Sequence, residues 1–126
     1  MNTLDLSIIG NGNFSALLNG RGKIVWSCLP RFDSDPRFCA LLNNHRDSEL
    51  GFYEVELFDL VEAKQTYRHN SAVVETNLKD KHGGMIQITD FAPRFRQFGR
   101  MFRPVMLIRQ VRPLAGTPRI RIRIRP

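Results

Sequence analysis

The sequence predicts an all-β chain: an antiparallel β-sandwich with one short helix. Three observations predict it. Short apolar or alternating runs recur along most of the 126 residues, and a period of two is the mark of half-buried strands. Glycine-bearing turn signals separate these runs, among them Gly10-Asn11-Gly12, Asn19-Gly20-Arg21-Gly22 and the Lys79–Gly84 stretch. Helical spacing occurs in one stretch only, after Pro36. A chain of this length is one domain, residues 1–126, and can bury roughly two thirds of its unfolded surface.

Leu4 to Ile9 gives the first strand and Phe14 to Leu18 the second, with the Asn-Gly turn making a hairpin of them. Ile24 to Leu29 follows as a largely buried strand. Ile24, Trp26 and Cys28 are expected on one face and Val25, Ser27 and Leu29 on the other, which makes Trp26 the structural anchor of the segment within the core. Pro30 lacks an amide donor and ends the ladder. Asp35 then stands as an N-cap before Pro36, and Phe38, Leu41 and Leu42 recur at helical spacing, which predicts the short helix. Asn43 to Glu49 is a polar loop, Phe52 to Phe58 and Glu62 to His69 alternate as strands, and Ala72–Leu78 with Met85–Phe91 forms a hairpin. Ala92 to Arg103 has no clean period and is expected as a loop. Val105–Val111 and Arg119–Arg125 close the chain as strands around Pro113-Leu114-Ala115-Gly116.

The net charge of +7 is unevenly placed. Residues 1–93 carry nine Lys and Arg against all twelve acids, while residues 94–126 carry ten Arg and no acid. In the last strand Arg119, Arg121, Arg123 and Arg125 alternate with Ile120, Ile122 and Ile124, which puts every arginine on one face and every isoleucine on the other. Such a stripe is either a charged sandwich face that discourages stray edge pairing or a phosphate-tracking surface, with Phe95, Phe98 and Phe102 as stacking groups. Without lysines from the rest of the chain or an RNA-binding signature, the first reading is preferred and a free-standing polyanion- or nucleic-acid-binding module is the alternative. No run approaches the ~20 apolar residues of a bilayer span, and no basic segment precedes an apolar core at the N-terminus. Cys28 and Cys39 lie in apolar patterns, which reads as two buried thiols of a reducing compartment, with a disulfide between them as the alternative. These features predict a cytoplasmic protein with no membrane partner.

Nothing in the sequence nominates a catalytic, cofactor or metal site. His45, His69 and His82 lie far apart in polar contexts without metal-ligand spacing. No serine sits in a nucleophile elbow and neither cysteine has a histidine near it in sequence. Asp33 and Asp35 form a carboxylate pair on one turn, a pattern open to acid/base chemistry but more typical of backbone capping. Trp26 is a core residue in preference to a sugar platform.

Four blocks, Ile9-Gly10-Asn11-Gly12, Trp26 to Ser34 with Phe38, Val74-Glu75-Thr76 and Ile88 to Pro93, together resemble the N-terminal domain of glucoamylase/trehalase-like enzymes of glycoside hydrolase family fifteen. The resemblance runs from about Leu6 to Pro126. It implies a β-sandwich that precedes and packs on a helical (α/α)6 barrel, with the barrel supplying the acid and base glutamates of an inverting α-glucoside hydrolysis. This chain alone is then non-catalytic, the barrel being absent from it. Val25 departs from the family, which often has an acidic residue before the tryptophan. Pro30 to Asp35 leaves a strand end with mixed polar and aromatic character, so Arg31, Phe32, Asp33 and Asp35 are the candidates for the interface with the barrel. A chain ending at Pro126 should also leave an open edge and self-associate.

Overall fold

The computed structural model describes residues 6–11, 14–28, 36–38, 52–69, 71–102, 104 and 106–125. Among these residues there are twelve strands and no helix, and the pairings are antiparallel. One sheet runs in the order β1 (Ser7–Gly10), β2 (Ser15–Leu18), β3 (Ile24–Cys28), β5 (Phe52–Leu57), β12 (Ile120–Arg125), with β4 (Pro36–Phe38) also paired to β3. The second runs β11 (Ile108–Ala115), β8 (Met85–Phe91), β7 (Val74–Asp80), β6 (Leu60–Tyr67). A separate ribbon holds β9 (Phe95–Gln97) and β10 (Arg100–Phe102).

The core follows from the period of two. Ile9, Ala16, Leu18 and Ile24 of the first sheet pack with Val74 of the second, and Val55 and Leu57 pack with Leu78, Ile86 and Ile88. Tyr53 packs against both clusters and so joins them. Fully burying each such aliphatic side chain contributes about 1.5–3 kcal/mol, so these inward rows hold the two sheets face to face.

Four expectations need correction. The short helix after Asp35 is not formed where the chain is described: Pro36–Phe38 is a strand, with Phe38 opposite Ser27 and packed on the first cluster. A proline opening a short strand suits an edge as well as it suits the first turn of a helix. The Ala92–Arg103 stretch, expected as a loop, contains the β9–β10 hairpin, with Phe98 and Gly99 both at positive φ (53° and 72°). Two such residues make the tight turn whose twist matches a hairpin, but phenylalanine is an unusual first residue for it. The expected turn at Pro113 is interior to β11, which runs to Ala115 with a bulge between Pro113 and Ala115. β11 is an edge strand, where a missing amide donor costs little.

The fourth correction concerns Trp26. Leu18 pairs with Ile24 but its neighbour Leu17 pairs with Trp26, so Val25 is the extra residue of a β-bulge. Ile24 and Ser27 therefore share the inner face, with Ser27 buried and donating to the Ser15 carbonyl at 3.1 Å. Trp26 is thrown outward beside Leu17 and is half-buried, not enclosed in the core.

Candidate domain interface

The β2–β3 turn is where the two sheets are locked by polar groups. Asn19 builds the turn, its side-chain oxygen accepting from the amides of Arg21 and Lys23 at 3.0 Å each. Gly22 has φ +77°, and a Cβ there would stand 3.2 Å from Thr76 Oγ1 on β7, so the turn lies close against the opposite sheet. Gln65 of β6 donates to the Asn19 carbonyl at 2.9 Å and to Thr76 Oγ1 at 3.0 Å. Arg109 completes the lock. It stands directly opposite Asp90 across β11 and β8, and its Nε and Nη2 donate to the two Asp90 carboxylate oxygens at 2.7 and 3.2 Å. The same guanidinium donates to the carbonyls of Gly22 and Tyr53 and lies over the Tyr53 ring, 4.7 Å from its centre.

The Arg109 and Asp90 side chains are 2 % and 0 % exposed, so the pair is cut off from water. Burial pushes the Asp90 carboxyl above its ordinary value of 3.8; the hydrogen bond and charge of Arg109 pull it down only in part. A carboxyl whose folded pKa is raised contributes stability that is full below the unfolded pKa and is lost as pH rises through the folded one. The stability of the native chain relative to Asp90→Asn should therefore fall as pH climbs above 3.8, measured by urea unfolding across the acid range. A gap between the two proteins that widens in favour of the native chain would contradict this. In sequence terms, Asp90 shares its strand parity with buried Ile86 and Ile88. A charge at a core-facing position was the available signal for a buried pair. Arg109 and Gln65 had no such mark.

The proposed interface residues Arg31, Phe32, Asp33 and Asp35 lie outside the described residues, in the connection from β3 to β4. His45 and Cys39 also lie outside them. Trp26 is described, and it stands in register with Leu17 and Ile8 across the first three strands. Ile8 is 52 % exposed and the other two are half-buried, so the bulge gives the outer face of the first sheet an apolar row. At the far end of that sheet the arginine stripe meets carboxylates: Arg121 Nη2 lies 2.6 Å from Glu56 and Arg123 Nη2 lies 2.6 Å from Glu54. Two of the stripe's arginines thus bond within the sheet.

Among the described residues, no group of three or more His, Cys, Asp or Glu could hold a metal ion. His69 and His82 are exposed, with His82 Nε2 3.5 Å from Asp59. Glu54 and Glu56, which share one face of β5, both take Arg123 within 4 Å, and Asp90 is sealed from solvent. A cleft of about 550 Å³ lined by Gly10, Asn11, Val73, Phe91, Pro93 and Arg94 among others has mainly apolar walls. Buried Asn11 closes that end by donating to the carbonyls of Pro93 and Pro104 at 3.0 and 2.7 Å. No helix among the described residues is long and apolar enough to cross a membrane.

The profile of trehalase-like N-terminal domains matches residues 3–126. A trehalase of Thermoplasma volcanium is 28 % identical over 85 residues, which cover 68 % of this chain and 14 % of that enzyme. The chain thus spans a small part of the length of that curated relative. No solved structure matches it. Both the profile and the antiparallel two-sheet architecture agree with the resemblance carried by the four sequence blocks, and the chain belongs to the family of trehalase-like N-terminal domains.

Proposed function

We propose that this chain is a non-catalytic module that packs on and supports the helical catalytic barrel of a trehalase- or glucoamylase-like enzyme acting on α-glucosides. The observation that carries the reading is the family match over nearly the whole chain, joined to a relative named trehalase of which the matched part is 14 %. The polar groups seen here suit that role. Asp90, Glu54 and Glu56 each bond to an arginine within the sandwich, which makes them structural in preference to catalytic. The docking contact is assigned to Arg31, Phe32, Asp33 and Asp35, with the bulge-exposed Trp26 row beside the strand that leads into them.

Self-association would use β12, which ends the first sheet among the described residues, but it would oppose arginine rows, and docking of the catalytic portion is the stronger reading. The polyanion alternative is weakened because Arg121 and Arg123 bond to Glu56 and Glu54. Purified chain incubated with trehalose and with maltooligosaccharides should release no glucose above buffer. Release by the pure chain that is abolished by Asp33→Asn would overturn the non-catalytic reading.

A further inference from the structure

The β9–β10 hairpin pairs with neither sheet. Its legs are held together at the base, where the Asn11 side chain, from a residue 3 % exposed, donates to the carbonyls of Pro93 and Pro104 at 3.0 and 2.7 Å. Beyond that clamp the described ladder is the ribbon's own, Phe95 to Gln97 against Arg100 to Phe102. Two strands by themselves are marginal in water.

The tip does not serve the fold of this domain. Phe98 has φ 53° and is 90 % exposed, the most exposed of the large hydrophobic residues described. Asp59, the other described non-glycine residue at positive φ, is of a type that tolerates the left-handed region, whereas a bulky phenylalanine there is strained. Within the chain nothing offsets that strain, because the ring buries almost no surface. A strained, exposed aromatic is a feature of sites that act on something else.

Its flanks indicate what it meets. Arg94, Arg96, Arg100 and Met101 are exposed, with Arg96 opposite Met101 across the ribbon. None of these three arginines pairs with an acid among the described residues. An aromatic tip flanked by cations complements an apolar pocket bordered by carboxylates, and buried aromatics with arginines beside them are the usual anchors of an interface.

We propose that the β9–β10 hairpin is a docking arm whose tip, Phe98, seats in an apolar pocket bordered by Asp or Glu on the catalytic portion; this rests on the supporting-module reading. Length favours that occupant as well as charge. The part matched to this chain is 14 % of the Thermoplasma volcanium trehalase, and a surface joined to the domain in one chain meets the arm at a high effective concentration. A second copy of this chain would bring arginines against arginines and fits less well.

For the test, the matching stretch of the Thermoplasma volcanium trehalase is replaced by residues 1–126, native or carrying Phe98→Asn. Trehalose hydrolysis, melting temperature and amide exchange in the ribbon are compared with those of the chain alone. Alone, Phe98→Asn should leave the melting temperature unchanged or raise it, because asparagine suits the first position of this turn. In the enzyme, ribbon amides of the native replacement should exchange more slowly than in the chain alone, and Phe98→Asn should abolish that slowing and most of the restored hydrolysis. Arg96→Glu with Arg100→Glu should do the same, while Val61→Ser, at a residue 60 % exposed on β6, should not. Equal restoration by the native and Phe98→Asn replacements overturns the arm and leaves the supporting role standing, whereas no restoration by the native replacement counts against both. The arm is also overturned if Phe98→Asn lowers the melting temperature of the chain alone. Binding of the chain alone to phosphatidylserine vesicles, to duplex DNA or to a second copy, lost on Phe98→Asn, overturns the assignment of its occupant.

Discussion

Arg109→Ala should lower the unfolding free energy by about 3–5 kcal/mol, the cost of breaking a buried ion pair by removing one partner. The magnitude follows from what is stranded. Asp90 is wholly buried and takes two hydrogen bonds from Arg109, so without the guanidinium its carboxylate has lost its countercharge in a place water does not reach. The Gly22 and Tyr53 carbonyls lose a donor in the same step. Arg109→Lys should recover little, because a single ammonium cannot span a carboxylate and two carbonyls as the planar fork does. Urea denaturation monitored by Trp26 fluorescence measures both. A loss under about 1 kcal/mol would place the pair among the weak surface bridges and remove the lock as the link between sheets.

Phe52→Ala should cost about 3–5 kcal/mol. Phe52 is 1 % exposed although it lies on the outer face of β5, the parity of Glu54 and Glu56 and not that of core-facing Val55 and Leu57. Lys23 Nζ lies 4.3 Å from its ring centre and the Arg123 guanidinium 5.3 Å. Truncation leaves a cavity and removes the ring from both cations, each contact being worth about 0.5–1 kcal/mol or more. The same denaturation experiment measures the loss. Phe52→Leu keeps most of the volume and should cost clearly less; equal losses for the two would show that the ring, not the filled space, carries the effect.

Strand pairing was legible because it follows from local alternation and turn residues. The first three strands, the β7–β8 hairpin and the Arg/Ile faces of β12 all lie where the period of two and the Gly/Asn turns put them. What escaped was set by contacts remote in sequence. The bulge at Val25 is invisible in Ile-Val-Trp-Ser-Cys, because nothing in those residues says that Leu17 and Leu18 pair on either side of it. Asp35-Pro36-Arg37-Phe38 satisfies a helix start and an edge strand equally, and pairing with β3 decides. The β9–β10 turn uses Phe98 where Asn or Asp would have announced it. At the lock, Asp90 sits one strand and nineteen residues from Arg109, and the joining carbonyls belong to the other sheet. Such a site is a property of the topology.

The supporting role is tested most directly in the Thermoplasma volcanium trehalase, by deleting the stretch that matches this chain and then replacing it with residues 1–126. Trehalose hydrolysis and melting temperature are measured for the three proteins. Deletion should lower both, and the replacement should restore them in large part, with Arg31→Ala in the replacement weakening the restoration. Full activity and an unchanged melting temperature after deletion would contradict the claim that this domain supports the catalytic portion.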